Sequence, residues 1–156
     1  MPEPSLYAFR LHIPCRIYEE MMSQAQREVP HECCGMLGGK IEEVELAPGE
    51  RRRIGLVHKL YPLVNEAASP VAYRVAEHPS LFAAMRDMRQ HELEVLAVYH
   101  SHPTTEPLPS KTDREQWHYE GSVCLIIAPE SAEPQVRAWW LESDRIAEAE
   151  WLIIGE

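Results

Sequence analysis

Two histidines, His100 and His102, stand close to Ser110 and Asp113 in a short stretch, residues 98–113, that reads V-Y-H-S-H-P-T-T-E-P-L-P-S-K-T-D. Side chains two apart on a strand point to the same face, so both imidazoles can reach one metal ion. Pro103 cannot donate to a ladder, and it ends the strand where the histidines emerge. A polar loop with Pro107 and Pro109 follows; Ser110 then opens a helix with Asp113 in its first turn. Two neutral imidazoles and a carboxylate suit zinc. Three protein ligands leave a fourth position for water, the arrangement of a catalytic site rather than a closed structural one. The same residues carry a plainer reading. Ser110-Lys111-Thr112-Asp113 also spells a helix capping box, with Asp in place of Glu or Gln. An isolated H-x-H on a strand is often only packed. The full string of H-S-H-P, six residues and S-x-x-D is far more specific.

The elements around this string must position it. Residues 93–99 are apolar except for Glu94, which predicts a central strand buried on both faces with the histidines at its end. Upstream, residues 31–39 (H-E-C-C-G-M-L-G-G) predict a strand entering the core, with Gly35 allowing close backbone approach. His31-Glu32 does not begin an H-E-x-x-H zinc helix, because Gly35 holds the place of the second histidine. Glu32 is a candidate base; taken alone, it reads first as a solvent-facing strand end. Before it come a strand over 8–13 and a helix over 16–28, with Ile17, Tyr18, Met21, Met22 and Ala25 inward. Strands over 42–46 and 54–60 flank a Pro48-Gly49 turn. Residues 61–75, broken by Pro62 and Pro70, cross the surface near the site, and Asn65 and Tyr73 are candidates for lining a substrate cleft. A helix over 78–92 takes Pro79 at its first position and turns Leu81, Ala84, Met85 and Met88 inward. A helix over 110–119, a buried strand over 123–128, and strands over 135–141 and 146–154 complete the chain, with Trp139, Trp140 and Trp151 as packing aromatics. This order predicts an α/β fold, a mixed sheet with helices against it, in one domain spanning 1–156.

Composition narrows the function. The 156 residues are 45% hydrophobic, enough for a real core. A net charge of −10 argues against nucleic acid as partner. Arg51-Arg52-Arg53 is the one basic run and falls at a solvated hairpin end. No apolar run reaches the roughly 18 residues of a membrane span, and residues 1–5 lack the features of a secretory signal, so a cytoplasmic protein is expected. The cysteines 15, 33, 34 and 124 form no C-x-x-C and no disulfide framework; Cys33 and Cys34 read as buried thiols.

With Glu32 and the string from His100 to Asp113 in view, the chain resembles the JAMM (MPN+) zinc metallopeptidases. That family joins an upstream Glu to H-x-H-P, a spacer and S-x-x-D. Residues 30–39 resemble the P-x-E-x-C-G-x-L-x-G segment of its small stand-alone prokaryotic branch, with Cys34-Gly35 in the C-G places. Asn65 to Pro70 resembles that branch's N-x-A-x-S-P loop, followed here by Tyr73. The resemblance implies a curved mixed sheet flanked by helices, as in cytidine deaminases, although the deaminase signature joining H-x-E to P-C-x-x-C is absent. It implies one Zn2+ held by His100, His102 and Asp113, Glu32 as the proton-transferring base, and Ser110 as donor to the developing oxyanion.

Members of this family cut after the C-terminal Gly-Gly of ubiquitin or of proteins with its fold. Only nine residues separate Asp113 from Val123, so the insertion by which eukaryotic ubiquitin-chain enzymes grip a second ubiquitin has no room. The resemblance therefore implies a ubiquitin-like sulphur-carrier protein as substrate, trimmed of a tail or relieved of a cysteine, with the tail bound as an added strand. Other readings stay open: a deubiquitinase-like isopeptidase, a general peptidase, or a non-catalytic zinc-binding interaction module, which would have no need of Glu32. Oligomeric state is not legible in the sequence.

Overall fold

The structure, a computed structural model, describes residues 8–65, 79–117, 119, 121–131, 135–142 and 145–155. Its elements run β1 (Arg10–Pro14), α1 (Cys15–Glu28), β2 (Cys34–Ala47), β3 (Glu50–Leu63), α2 (Pro79–Gln90), β4 (Glu94–Ser101), α3 (Lys111–Glu115), β5 (Val123–Ile127), β6 (Val136–Leu141), β7 (Ile146–Glu148) and β8 (Trp151–Ile154). The strands form one eight-stranded sheet in the order β7-β6-β5-β4-β2-β3-β1-β8. It is mixed: β4 and β5 are parallel, as are β1 with β3 and with β8, and the remaining pairs are antiparallel.

Alternation along the strands divides the core. Leu37, Tyr99, Leu125 and Ile127 pack with Ile17, Met21 and Ala25 of α1. Met36 and Val98 pack with Ala84 and Met88 of α2 on the other side, with Trp117 against them. The central strands β4 and β5 are thus covered on both faces, which explains their unbroken apolar runs. By the two-residue period, His100 shares the face of Val98, away from α1. The sheet also curls. Phe9, just ahead of β1, meets Trp140 of β6 edge-to-face at 5.2 Å, and the Ala149 N–H donates to the Ala138 carbonyl at 2.8 Å.

Five local expectations are corrected. Residues 61–63 do not leave the sheet at Pro62, because β3 runs on to Leu63, with Tyr61 opposite Met36 and Leu63 opposite Cys34. Residues 31–39 and 42–46 do not make two strands, because β2 runs unbroken from Cys34 to Ala47 with a register shift at Gly38/Gly39. Residues 146–154 do not make one strand: the Leu11 N–H takes the Glu150 carbonyl at 3.0 Å, so the chain crosses from β6 to β1 and β7 and β8 lie at opposite ends of the sheet. The helix from Ser110 stops at Glu115, after which Trp117 turns in against both the α2-side core and the cluster around Cys124 and Ile126. Met85 is exposed; α2 buries Ala84 and Met88, one turn apart. The arginine run lies on β3 beside the turn, with Arg51 on Glu43 at 3.2 Å and Arg52 on Glu150. Cys33, Cys34 and Cys124 are buried free thiols. No helix among the described residues is long and apolar enough to cross a membrane.

Candidate metal centre

The antiparallel register of β2 on β4 sets Cys34 opposite His100 and Gly35 opposite Tyr99. A Cβ on residue 35 would lie 2.1 Å from the Tyr99 hydroxyl, so only glycine lets the ring cross β2. Tyr99 donates to Gln24 Oε1 at 2.5 Å, and Gln24 Nε2 donates to the Cys34 carbonyl at 3.1 Å. One residue beyond Cys34, the Ser101 N–H donates to the Cys33 carbonyl at 3.0 Å. Glu32 therefore arrives beside His102. The His102 N–H donates to the Ile127 carbonyl at 2.7 Å, which fastens the end of β4 to β5.

Four side chains converge there, all buried: Glu32, His100, His102 and Asp113. The Nε2 atoms of the two histidines are 3.2 Å apart. Asp113 brings Oδ1 to 3.0 Å from His100 Nε2 and Oδ2 to 3.2 Å from His102 Nε2. One ligand-type atom from each of Glu32, His100 and His102 lies within 4.8 Å of the others, a group that could hold a metal ion. His102 Nδ1–H donates to the Glu106 carbonyl at 2.8 Å. That bond fixes the ring and aims Nε2 into the cluster.

The protonation states follow from burial and from these contacts. Burial holds His100 below the usual imidazole range, only partly offset by Asp113. Burial also opposes charge on His102, but hydrogen bonds to Asp113 and the Glu106 carbonyl outweigh it and raise its pKa. Burial alone would raise Asp113, yet hydrogen bonds from both histidines hold it well below the carboxylate range. Burial pushes Glu32 up to about 8, with His102 opposing and Asp113 adding to the shift.

The capping box and the cluster coexist. Ser110 Oγ accepts from the Asp113 N–H at 3.1 Å, while Asp113 Oδ2 accepts from the Ser110 N–H at 2.8 Å. The cap thus holds Asp113 in the rotamer that faces both imidazoles. It occupies a lone pair of the Ser110 oxygen and leaves the hydroxyl proton free to donate elsewhere. Ser110 is exposed and lines a cleft of about 620 Å³ with His102, Pro103, Glu106, Leu108 and Glu130. A second cleft, of about 500 Å³, is lined by Glu32, Asn65, Val29 and Val64 among others. Asn65 Nδ2 donates to the Glu32 carbonyl at 2.7 Å. Tyr73 lies outside the described residues.

Sequence reasoning passed over three groups here. Ser101, fully buried between the histidines, accepts from the Cys33 N–H at 2.8 Å. The Glu106 carbonyl orients His102. Trp139 Nε1 donates to the Pro107 carbonyl at 3.1 Å and pins the loop between β4 and α3 to the sheet. A serine flanked by two histidines on a buried strand was the one visible signal; backbone carbonyls leave none.

Residues 14–142 match the family described as prokaryotic homologs of the JAB domain, and the chain belongs to that family. It is 31% identical over 128 residues to a desampylase of Haloferax volcanii, covering 78% of this chain and 82% of that one. It is 31% identical over 103 residues to a Thermus thermophilus protein named as a probable TtuB-protein conjugate cleaving protease, and 34% identical over 105 residues to a CysO-cysteine peptidase of Mycobacterium tuberculosis. Each of these two matches covers 66% of this chain, and the chain spans 60% and 62% of their lengths. A solution structure of a Desulfitobacterium hafniense protein superposes with a TM-score of 0.76 at 29% identity, covering 94% of both chains.

Proposed function

We propose that this chain is a JAMM-type zinc metallopeptidase that hydrolyses an amide or isopeptide bond after the C-terminal Gly-Gly of a ubiquitin-like protein, a sulphur carrier. One observation carries the chemistry: the Nε2 atoms of His100 and His102 stand 3.2 Å apart, and the Asp113 carboxylate faces them with Oδ1 3.0 Å from the first and Oδ2 3.2 Å from the second. Two ligands about 2.0–2.1 Å from zinc at a tetrahedral angle stand about 3.3 Å apart, so three electron-pair donors at this spacing fit that cation and leave one position open. Zinc held there would supply Lewis acidity, bringing the deprotonation of a water near neutral pH and polarising the scissile carbonyl.

The chain's own residues supply the rest. Glu32 is buried but within reach of the histidines, and a cation held by them would oppose the burial that otherwise keeps it protonated. As a carboxylate it takes the proton of the attacking water and passes it to the leaving amine. The Ser110 hydroxyl, its lone pair committed to the cap, donates its proton towards the carbonyl oxygen as charge develops. The two clefts give an extended tail and its leaving group separate places beside these groups. The substrate class rests on the family and on the names of the relatives, which include a conjugate cleaving protease and a CysO-cysteine peptidase.

The test is the intact mass of a panel incubated with the purified protein. The panel holds carriers extended beyond Gly-Gly, a carrier–cysteine adduct, isopeptide-linked ubiquitin and short unstructured peptides. Trimming of a carrier back to Gly-Gly is the expected result. Cleavage of linked ubiquitin alone, or of peptides alone, would overturn the substrate assignment while keeping the chemistry.

A further inference from the structure

The peptide bond between Glu32 and Cys33 is gripped at both of its polar atoms by side chains from two other segments. Asn65 Nδ2 donates to the Glu32 oxygen at 2.7 Å, and the Cys33 N–H donates to Ser101 Oγ at 2.8 Å. Glu32 lies just ahead of β2, where the strand ladder gives out. Side chains there do what ladder bonds do further along. Ser101 is fully buried and sits between the two histidines in sequence, so it ties the Glu32 segment to the strand that presents them. Asn65 is half-buried in the cleft that Glu32 also lines. The Ser101 hydroxyl further contacts the Cys33 thiol, which burial pushes up to about 11 against the opposing pull of that contact, so the thiol stays protonated.

We propose that Asn65 and Ser101 are positioning residues: together they clamp the Glu32–Cys33 peptide plane and thereby aim the Glu32 carboxylate at the histidine–aspartate cluster. A peptide plane held at both ends cannot rotate, and its orientation sets the direction in which the Glu32 side chain leaves the backbone. This rests on the hydrolase reading above, in which Glu32 moves the proton. It also assigns Asn65 a task different from touching substrate, the role its sequence context suggested. A displacement of the base by about 1 Å is enough to lose on the order of 100-fold in rate.

The experiment compares Asn65→Ala, Asn65→Asp, Ser101→Ala and Ser101→Thr on a carrier extended beyond Gly-Gly. The clamp predicts a kcat about 10–100-fold lower for N65A, N65D and S101A, with KM and bound zinc unchanged. S101T, which keeps the hydroxyl, recovers most of the S101A loss. In the E32Q background, N65A leaves carrier Kd unchanged and lowers residual turnover no further. A raised Kd or KM with kcat retained would mean that Asn65 touches substrate, and would overturn the clamp. Amide hydrogen exchange at Cys33 reads the clamp without any substrate. It should quicken about tenfold or more in N65A and in S101A; unchanged exchange overturns the clamp. Exchange that quickens as expected, in a protein that cuts nothing on the panel, overturns the hydrolase reading and leaves the clamp standing.

Discussion

Cys34 of β2 stands opposite His100 of β4, and this single pairing carries Glu32 to the histidines. Slipping the register by one residue would turn every side chain of β2 to the other face and remove the carboxylate from the cluster. The pairing is secured next door, where Gly35 admits the Tyr99 ring and Tyr99 reaches Gln24 of α1.

Gly35→Ala is therefore expected to destabilise the protein by about 1–3 kcal/mol, the usual cost of overpacking a dense core. The new Cβ would meet the Tyr99 hydroxyl at 2.1 Å, so the ring must shift and give up its bond to Gln24. Urea denaturation measures this, and an unchanged midpoint would show that the ring is not held as described.

Glu32→Gln is expected to stabilise the metal-free protein, increasingly as pH rises. Burial lifts the Glu32 pKa from 4.5 to about 8, so between those values the fold keeps a proton that the unfolded chain releases. The folded state then binds more protons, and stability falls with rising pH until about 8, where the loss is complete. Below 4.5 the group is protonated in both states and contributes nothing. The amide carries no such slope. At pH 8 the gain should be on the order of 4 kcal/mol, since each pH unit between the two pKa values is worth about 1.4 kcal/mol. Thermal melts of chelator-treated protein at pH 5 and pH 8 check it. Equal pH slopes for the two proteins would show that Glu32 ionises freely in the fold.

Asp113→Ala removes the carboxylate facing both imidazoles and half of the capping box together. Zinc affinity should fall by more than the roughly 100-fold typical of losing an outer-shell partner, and the lost cap bond should cost about 1 kcal/mol in the metal-free protein. Chelator competition and thermal melts separate the two effects. Zinc retained at wild-type affinity would remove Asp113 from the ligand set and leave the Glu32, His100 and His102 group as the alternative.

Trp139→Phe keeps the ring in its place against Cys124 and Ile126 but deletes the bond to the Pro107 carbonyl. The fold should lose about 1 kcal/mol. Backbone amides in the loop between His102 and Ser110 should exchange faster, while zinc stays bound. Unaltered exchange in that loop would show that Trp139 only packs.

Much of this was legible because period and chemistry agree. The apolar run that predicts β4 leads straight into His100 and His102, which the two-residue strand period sets on one face, and the S-x-x-D that spells a cap also places Asp113 beside them. What stayed hidden depends on long-range closure. Nothing local in residues 146–154 distinguishes one strand from two; the break at Ala149 and Glu150 is set by Ala138, outside the segment, and by Leu11 at the other end of the chain. The α3 helix ends early because Trp117 packs into the core, a tertiary demand that helix periodicity does not register. The grips on Glu32 by Asn65 and on Cys33 by Ser101 join segments 33 and 68 residues apart, so no motif window contains them.

The most direct test of the central claim uses one carrier extended beyond Gly-Gly and four samples: wild type as purified, wild type stripped by chelator, stripped protein returned to zinc, and zinc-loaded E32Q. The account predicts trimming to Gly-Gly in the first and third samples and none in the second, with zinc retained but hydrolysis lost in the fourth. Trimming by the stripped protein, or by zinc-loaded E32Q at the wild-type rate, would contradict it.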